Sequence, residues 1–285
     1  MSEQITISNG TIAAIISTKG AELKSVVKDG TEILWDGNPD VWTGQAPILF
    51  PLCGGLMDDK YIFEGKEYTL QKHGFARITE FEVESAEEAS ATFILRSNEE
   101  TKKQFPFDFE LRVTYTLVDN KIEVGYSVKN TGSGDMYFSI GAHEGYACPG
   151  GIEGYSLVFD KEEAFTCNVL NGNLLEYNTY SVGEGRELPL KYDFFTIDAL
   201  TFLNLKSRGV DLVHRQSGKS LRVEFEGFDY LFVWTKPKAH ANYICIEPWC
   251  GIPDFVDSDF DITKKRGIVK LEANGEKSLT HNIIL

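Results

Sequence analysis

Short runs in which apolar and polar residues alternate recur along the whole chain, and they constrain its fold more than any other feature. Examples are residues 11–16, 80–84 and 110–117. A period of two is typical of a β-strand with one buried and one solvated face. Dipeptides that favour tight turns separate the runs; they are Asp29-Gly30, Glu64-Gly65, Asp119-Asn120, Ser217-Gly218 and Asn274-Gly275. The pattern predicts an all-β chain.

Helical patterns are scarce. Residues 98–105 are compatible with two helical turns, capped by Asn98 and ended before Pro106. Alternating β and α segments are absent, which disfavours a parallel doubly wound sheet and favours an antiparallel sandwich or barrel. Residues 171–193 are rich in Gly, Asn and Glu, and they predict a long surface loop. Since no stretch reads as a linker, we expect one domain over residues 1–285.

The charge of the chain excludes two classes of partner. Its 285 residues carry a net charge of −15, which would repel the phosphates of nucleic acid and the anionic surface of a membrane. The N-terminal residues lack a cationic segment followed by an apolar one, and no window holds 18 uncharged apolar residues. We therefore expect a cytoplasmic protein without nucleic-acid or membrane partners.

The cysteines predict free thiols. Their number, five, is odd and they are dispersed, which is typical of a reducing compartment rather than of a disulfide framework. Cys245 and Cys250 have no second pair of ligands nearby in the sequence, so zinc is not expected. No metal and no cofactor are predicted.

Four segments break the alternation by combining Gly, Pro or aromatic residues with ionisable groups, and functional sites often lie where local rules fail. The segments are residues 47–55, 72–77, 141–145 and 245–254. Within them, His143 follows an apolar run and Glu247 follows a run that reads as buried. An isolated buried carboxylate costs several kcal/mol, so Glu247 either forms an ion pair or serves a site. A hydrogen-bonded structural histidine remains the alternative for His143.

Taken together, these segments resemble a known family. The sequences APILFPLCG at 46–54, HGFAR at 73–77, GAHEGY at 141–146 and CIEPWCGIPD at 245–254 resemble motifs of the aldose 1-epimerase (galactose mutarotase-like) family, specifically its LacX-like branch. They are also similar to hexose-6-phosphate 1-epimerases. The resemblance spans nearly the full chain and implies a large antiparallel β-supersandwich with few short helices, a sugar-binding cleft on a concave face, and an isomerase of carbohydrate metabolism.

The resemblance also implies catalytic roles. The histidine that matches His143 is the general acid in relatives, and the glutamate that matches Glu247 is the general base. Interconversion of sugar anomers requires that the C1 hydroxyl lose its proton while the ring oxygen gains one, so an acid and a base must flank the anomeric carbon. This chemistry needs no metal, nucleotide or covalent intermediate.

Four further residues are expected to bind the sugar. By resemblance, His73 contacts the region of the ring oxygen and C1, while Arg77 and Asp198 hold hydroxyls. Trp249 offers an aromatic face of the kind that packs on the C–H face of a sugar. One departure concerns Gly55, because many relatives carry arginine there. Its absence leaves open whether the substrate is a free hexose or a hexose phosphate, which would rely on Arg77, Lys72 or another cation that the sequence does not identify.

Several alternatives stay open. A hexose-6-phosphate 1-epimerase needs a cationic pocket, and a sugar-binding or sensing protein needs the cleft without turnover. A glycosidase that uses Glu247 and Asp254 would need the two carboxylates roughly 5–9.5 Å apart. Both a monomer and a homodimer are compatible with the sequence. No role is assigned to His214, His240 or His281.

Overall fold

The computed structural model describes residues 2–285, and within them the chain forms 22 strands. In chain order the first ten are β1 (Gln4–Ser8), β2 (Ile12–Ser17), β3 (Glu22–Lys28), β4 (Thr31–Glu32), β5 (Lys60–Phe63), β6 (Lys66–Thr69), β7 (Glu82–Ala86), β8 (Ser90–Arg96), β9 (Phe109–Val118) and β10 (Lys121–Asn130). The remaining twelve are β11 (Met136–Phe138), β12 (Ile140–Gly141), β13 (Glu144–Ala147), β14 (Tyr155–Asn171), β15 (Leu174–Pro189), β16 (Leu200–Phe202), β17 (Gly209–His214), β18 (Ser220–Glu224), β19 (Tyr230–Trp234), β20 (Tyr243–Cys250), β21 (Val269–Leu271) and β22 (Glu276–Ile284).

The helical segments of the described chain are short. The α-helix α1 (Glu99–Gln104) begins after Asn98, whose side chain accepts hydrogen bonds from the main-chain N–H groups of Glu100 and Thr101. This capped helix confirms the prediction for residues 98–105. Five 3-10 turns complete the set: Met57–Asp59, Ala76–Ile78, Ile152–Gly154, Tyr192–Phe195 and Ile262–Lys264. Between residues 2 and 285, no helix has the length and apolar character that crossing a membrane requires.

The strands form antiparallel sheets, which confirms the predicted all-β class. A nine-stranded sheet has the order β15-β14-β17-β18-β22-β10-β9-β8-β7, and a smaller sheet has the order β12-β20-β19-β16 with β13 also paired to β20. Strands β1 to β4 form a further sheet, and β5-β6 and β11-β21 form two-stranded pairs. Every pairing between these strands is antiparallel.

The main core lies between the two larger sheets. Buried and partly exposed residues alternate along β9 and β10, as expected for strands with one buried face. All eight residues of β20 are buried. Leu111 and Val124 of the large sheet belong to the same apolar cluster as Ile244 and Ile246 of β20. Each fully buried side chain of this kind stabilises the fold by about 1.5–3 kcal/mol.

The predicted hairpin turns are confirmed with one exception. Asp29-Gly30, Glu64-Gly65, Asp119-Asn120 and Ser217-Gly218 each connect two strands that pair with one another. Asn274-Gly275 instead connects β21 to β22, which belong to different sheets. A turn dipeptide specifies local backbone geometry but not the partner of the strand that follows.

The loop predicted at residues 171–193 is wrong. Most of this stretch is strand β15, which pairs with β14 in a long hairpin whose tip is Gly172-Asn173. Much of β15 is exposed, with few buried positions along its length. Because most side chains of β15 are exposed or only partly buried, the strand needs no regular alternation of apolar and polar residues, and this explains why the sequence pattern missed it.

Candidate active site

The floor of the candidate site is formed by strand β20 and its neighbours. The sheet ladder pairs Gly141 of β12 with Trp249 and Glu144 of β13 with Ile246. In this register His143, in the break between β12 and β13, falls opposite Glu247. The break is held by the indole N–H of Trp249, which donates to the carbonyl oxygen of Ala142 at 3.1 Å. The sheet therefore brings together two residues that are distant in the sequence.

The two side chains are in contact. His143 Nε2 lies 3.3 Å from Glu247 Oε2, and the side chains are 11% and 2% exposed. Their other polar atoms, His143 Nδ1 and Glu247 Oε1, have no hydrogen-bond partner among the described residues. Trp42 and Trp234 flank the imidazole, with ring centroids 5.2 and 5.7 Å from it. Each residue of the pair therefore keeps one buried polar atom that is not hydrogen-bonded.

Burial sets the protonation of this pair. It raises the pKa of the Glu247 carboxyl well above its usual value, and nearby Asp198 raises it further. It lowers the pKa of the His143 imidazole to about 3, with Lys72 and Arg77 acting in the same direction. Both shifts favour the uncharged form. The buried carboxyl therefore holds its proton more strongly than in water, and the buried imidazole holds a second proton more weakly.

The pair lies at the bottom of a cleft of about 500 Å³, a volume within the range of small-molecule sites. The cleft is lined by residues from several elements, and these include all six site residues predicted from the sequence. They are His73, Arg77, His143, Asp198, Glu247 and Trp249. The structure therefore places all of them at one cavity.

His73 lies beside the contact between His143 and Glu247. Its backbone has the left-handed φ of 67°, and its main-chain N–H donates to the carbonyl oxygen of Gly54 at 2.9 Å. The ring meets His143 edge to face at 5.7 Å between centroids and Trp249 at 5.6 Å. Burial lowers its pKa well below the usual value, and His143, Lys72 and Arg77 contribute to the same shift. His73 is therefore a neutral imidazole.

Charged side chains line the wall of the cleft. Lys72 Nζ lies 3.7 Å from Asp198 Oδ2, and both side chains are partly exposed. Arg77 also lines the cleft, and its buried Nε has no partner within the described chain. Lys236 lines the cleft too, while its ammonium donates to the carbonyl oxygen of Val41. The wall therefore combines cations with one carboxylate.

Trp249 is packed rather than free. Its ring stacks on Phe232 with 3.8 Å between centroids, and its N–H is already used by Ala142. Its contribution to a bound sugar would therefore come from the ring surface that faces the cleft.

Asp254, the second carboxylate of the glycosidase alternative, does not line the cleft. Its Oδ1 accepts from Lys265 Nζ at 2.8 Å, and its Oδ2 accepts from the main-chain N–H of Met57 at 3.1 Å. Lys265 and Asp254 are 3% and 5% exposed. The carboxylate therefore ties together segments of the chain behind the cleft wall, which gives a glycosidase reading no support.

Asn173 occupies the space beside Gly55 that a larger side chain at residue 55 would need. A Cβ added at Gly55 would lie 2.6 Å from Cβ of Asn173, the tip residue of the β14–β15 hairpin, which itself lines the cleft. A larger side chain at residue 55 would therefore require the hairpin to move.

The lining residues that sequence analysis missed include Asn173, Phe232, Trp234 and Lys236. Phe232 and Trp234 pair with Glu247 and Cys245 across the β19–β20 ladder. Their alternation in the run YLFVW was the available signal, because it puts both on one face. Asn173 gave no signal, since the hairpin was predicted as a loop.

Comparisons with known proteins agree with this geometry. The model of the aldose 1-epimerase family matches residues 3–278. Protein LacX (plasmid) of Lactococcus lactis subsp. lactis is 36% identical over 284 residues, which cover 94% of each chain. A galactose mutarotase related enzyme from Lactobacillus acidophilus superposes with a TM-score of 0.95 at 34% identity, covering 99% of this chain and 97% of that one. A galactose mutarotase-like protein from Lactobacillus casei gives 0.94 at 31% identity and 99% coverage of both. The predicted galactose mutarotase-like fold is confirmed.

Proposed function

This chain belongs to the aldose 1-epimerase family, and from that premise we propose that it interconverts the α and β anomers of a hexose by general acid–base catalysis. The observation that carries the proposal is the 3.3 Å contact between His143 Nε2 and Glu247 Oε2 at the floor of the cleft. One carboxyl and one imidazole within reach of each other are the acid and base that the reaction needs.

The proton count of the pair suits this reaction. With a ring-form sugar bound, Glu247 as carboxylate removes the proton of the C1 hydroxyl, and His143 as imidazolium gives a proton to the ring oxygen. The C1–O5 bond breaks and C1 becomes a carbonyl. The pair is then carboxylic acid and neutral imidazole, which is the form that burial favours. Rotation about C1–C2 and closure on the other carbonyl face reverse both transfers.

The surrounding residues have supporting roles in this proposal. His73 donates to the sugar near its ring oxygen, and Arg77 and Asp198 hold hydroxyl groups. Trp249 provides an apolar surface for the C–H face of the ring. Lys72 lowers the pKa of Glu247, opposing the effect of burial, and so helps to stabilise the carboxylate form that starts the reaction.

Polarimetry of freshly dissolved α-glucose and α-galactose tests the proposal, with Glu247→Gln as the inactive control. We expect the protein to accelerate the approach to anomeric equilibrium for one or both sugars, and the control to lack this effect. If a sugar binds but its mutarotation is not accelerated, the chain is a sugar-binding protein and the enzymatic proposal fails.

A second candidate is a hexose-6-phosphate 1-epimerase. One observation favours it: Lys72, Arg77 and Lys236 line the same cleft, although the chain as a whole has a net charge of −15. A cluster of cations in the cleft of a protein with a negative net charge suits an anionic sugar. An anomer-exchange measurement by NMR on glucose 6-phosphate, beside free glucose, separates the candidates by which substrate responds.

A further inference from the structure

A cysteine completes a cluster of potential metal ligands at the floor of the cleft. Cys245 precedes Glu247 by two residues on β20, so their side chains project from the same face of the strand. Ligand atoms of His143, Cys245 and Glu247 all lie within 4.8 Å of one another, and all three residues are buried. Sequence reasoning considered Cys245 only with Cys250, which packs in the main core on the opposite face.

Two observations indicate that this cluster can accept a ligand. Glu247 is 2% exposed, and its Oε1 has no partner among residues 2–285. Cys245 is a free, fully buried thiol, and the proposed reaction gives it no task. An unpartnered carboxylate oxygen and an unused sulfur therefore stand beside the same imidazole.

The donor set selects the class of ion. Imidazole nitrogen, thiolate sulfur and carboxylate oxygen together suit borderline divalent metals such as Zn²⁺ and Co²⁺. Around a tetrahedral zinc ion such atoms lie roughly 3.3–3.6 Å apart. The 3.3 Å between His143 and Glu247 already matches this spacing, and the sulfur, which lies within 4.8 Å of both other ligand atoms, needs to come closer by about 1.2 Å at most. Mg²⁺ and Ca²⁺ prefer six or more oxygen ligands, which this cluster does not offer.

We propose that His143, Cys245 and Glu247 bind Zn²⁺ as three protein ligands, with the fourth position open to the cleft, and that the bound ion blocks the acid–base pair. On binding, the thiol and carboxyl protons pass to solvent. The ion then occupies the lone pairs of His143 and Glu247 that must exchange protons with the sugar. The blocking effect rests on the proposed function, whereas metal binding itself does not.

The test is a titration of the full chain with Co²⁺ under anaerobic conditions, followed by absorption spectroscopy. Tetrahedral cobalt gives intense visible bands, and a bound thiolate adds a charge-transfer band in the near ultraviolet. We expect both, with Zn²⁺ displacing the cobalt spectrum and Mg²⁺ leaving it unchanged. This readout reports a cysteine ligand directly and requires no catalytic activity.

Matched variants test whether Cys245 supplies the sulfur ligand. Cys245→Ala should abolish the charge-transfer band and weaken Zn²⁺ binding about tenfold or more in competition with a chromophoric chelator. Cys250→Ala, on the opposite face of the same strand, should keep both. Cys245→Ser serves as a second variant if the alanine form does not fold, with near-ultraviolet circular dichroism as the check.

The outcomes separate the two claims. Absence of the thiolate band, or its persistence in Cys245→Ala, overturns the metal site whatever the activity of the protein. A thiolate-bound ion that leaves sugar mutarotation unchanged overturns the blocking effect alone. Inhibition by Zn²⁺ that is reversed by EDTA, and that weakens about tenfold or more in the Cys245 variant, supports both. A chain that binds cobalt through Cys245 but converts no sugar refutes the proposed function and keeps the site.

Discussion

His73 Nδ1 accepts a hydrogen bond from the main-chain N–H of Gly54 at 3.2 Å, while the His73 main-chain N–H donates back to the Gly54 carbonyl. A neutral imidazole that accepts at Nδ1 carries its proton on Nε2. Since burial keeps the ring neutral by lowering its pKa, His73 presents an N–H donor and cannot act as a base at Nε2.

This arrangement predicts different activities for two amide variants of His73. Glutamine can place its amide near the position of Nε2, whereas asparagine reaches only that of Nδ1. We expect His73→Gln to retain several-fold more kcat/KM than His73→Asn, measured by polarimetry. The left-handed backbone at residue 73 favours asparagine, so stability should follow the opposite order. Equal activities of the two variants would refute the donor role.

Removal of either member of the acid–base pair should strongly reduce turnover. We expect Glu247→Gln and His143→Asn each to lower kcat by about 10²–10⁴-fold, as measured by anomer exchange. Glu100→Gln on the exposed helix α1 is the control and should match the wild type. Normal turnover in either folded site variant would remove that residue from the mechanism.

The same carboxyl predicts a pH dependence of stability. Because the pKa of Glu247 is raised in the folded state, the folded chain retains a proton that the unfolded chain loses above about pH 4.5. The contribution of Glu247 to the free energy of unfolding therefore falls as pH rises, by up to about 1.4 kcal/mol per pH unit. In urea unfolding with EDTA present, Glu247→Gln should become more stable relative to the wild type between pH 5 and 7. A constant difference would mean that the folded carboxyl is ionised.

Activity should be insensitive to the ordinary titration of histidine. In the proposed mechanism the active pair holds one proton, and a second is added only near the His143 pKa of about 3. We expect kcat/KM, measured with EDTA present, to stay level as pH falls from 7 to 5. An acidic limb centred near pH 6.5 would show instead that His143 titrates like an exposed imidazole.

The hairpin tip should affect binding rather than chemistry. Asn173 lines the cleft and fills the space beside Gly55. Loss of one hydrogen bond to the sugar would raise KM about two- to tenfold in Asn173→Ala, with kcat nearly unchanged. Asn178→Ala, farther along the same ribbon, is the control. A loss confined to kcat would place Asn173 in the chemistry instead.

A second buried contact behind the site should stabilise the fold. His281 Nε2 lies 3.1 Å from Glu144 Oε1, and both side chains are almost fully buried. His281→Leu removes the polar group beside that buried carboxyl, so we expect a loss of about 1–3 kcal/mol in urea unfolding. Replacing Glu144 by Met in the same chain should recover much of the loss. His214→Ala, on an exposed hairpin, should change stability little.

The sequence was most informative where local patterns and packing agree. Strands β9 and β10 alternate because one face is buried, and Asn98 caps α1 as its position predicts. The meeting of His143 with Glu247 could not be worked out from spacing, because it depends on the register between β13 and β20. It was expected only through the family resemblance.

The contacts of His281 and Asn173 could not be predicted from the local sequence. His281 had no assigned role, since its partner Glu144 comes from a strand in another sheet. Asn173 was missed because an exposed ribbon has no alternating pattern. Both depend on which distant segments meet, and no nearby residue reports that.

Strand β20 is buried along its entire length, with Ile244 and Ile246 in the main core and Glu247 at the floor of the cleft. The backbone that carries Glu247 is therefore also the backbone that closes the core. Its amide protons should exchange with solvent only through global opening, whereas the β14–β15 hairpin exchanges by local fraying. We therefore expect substitutions that alter substrate preference to be tolerated best in the hairpin, where side chains can vary without destabilising the fold.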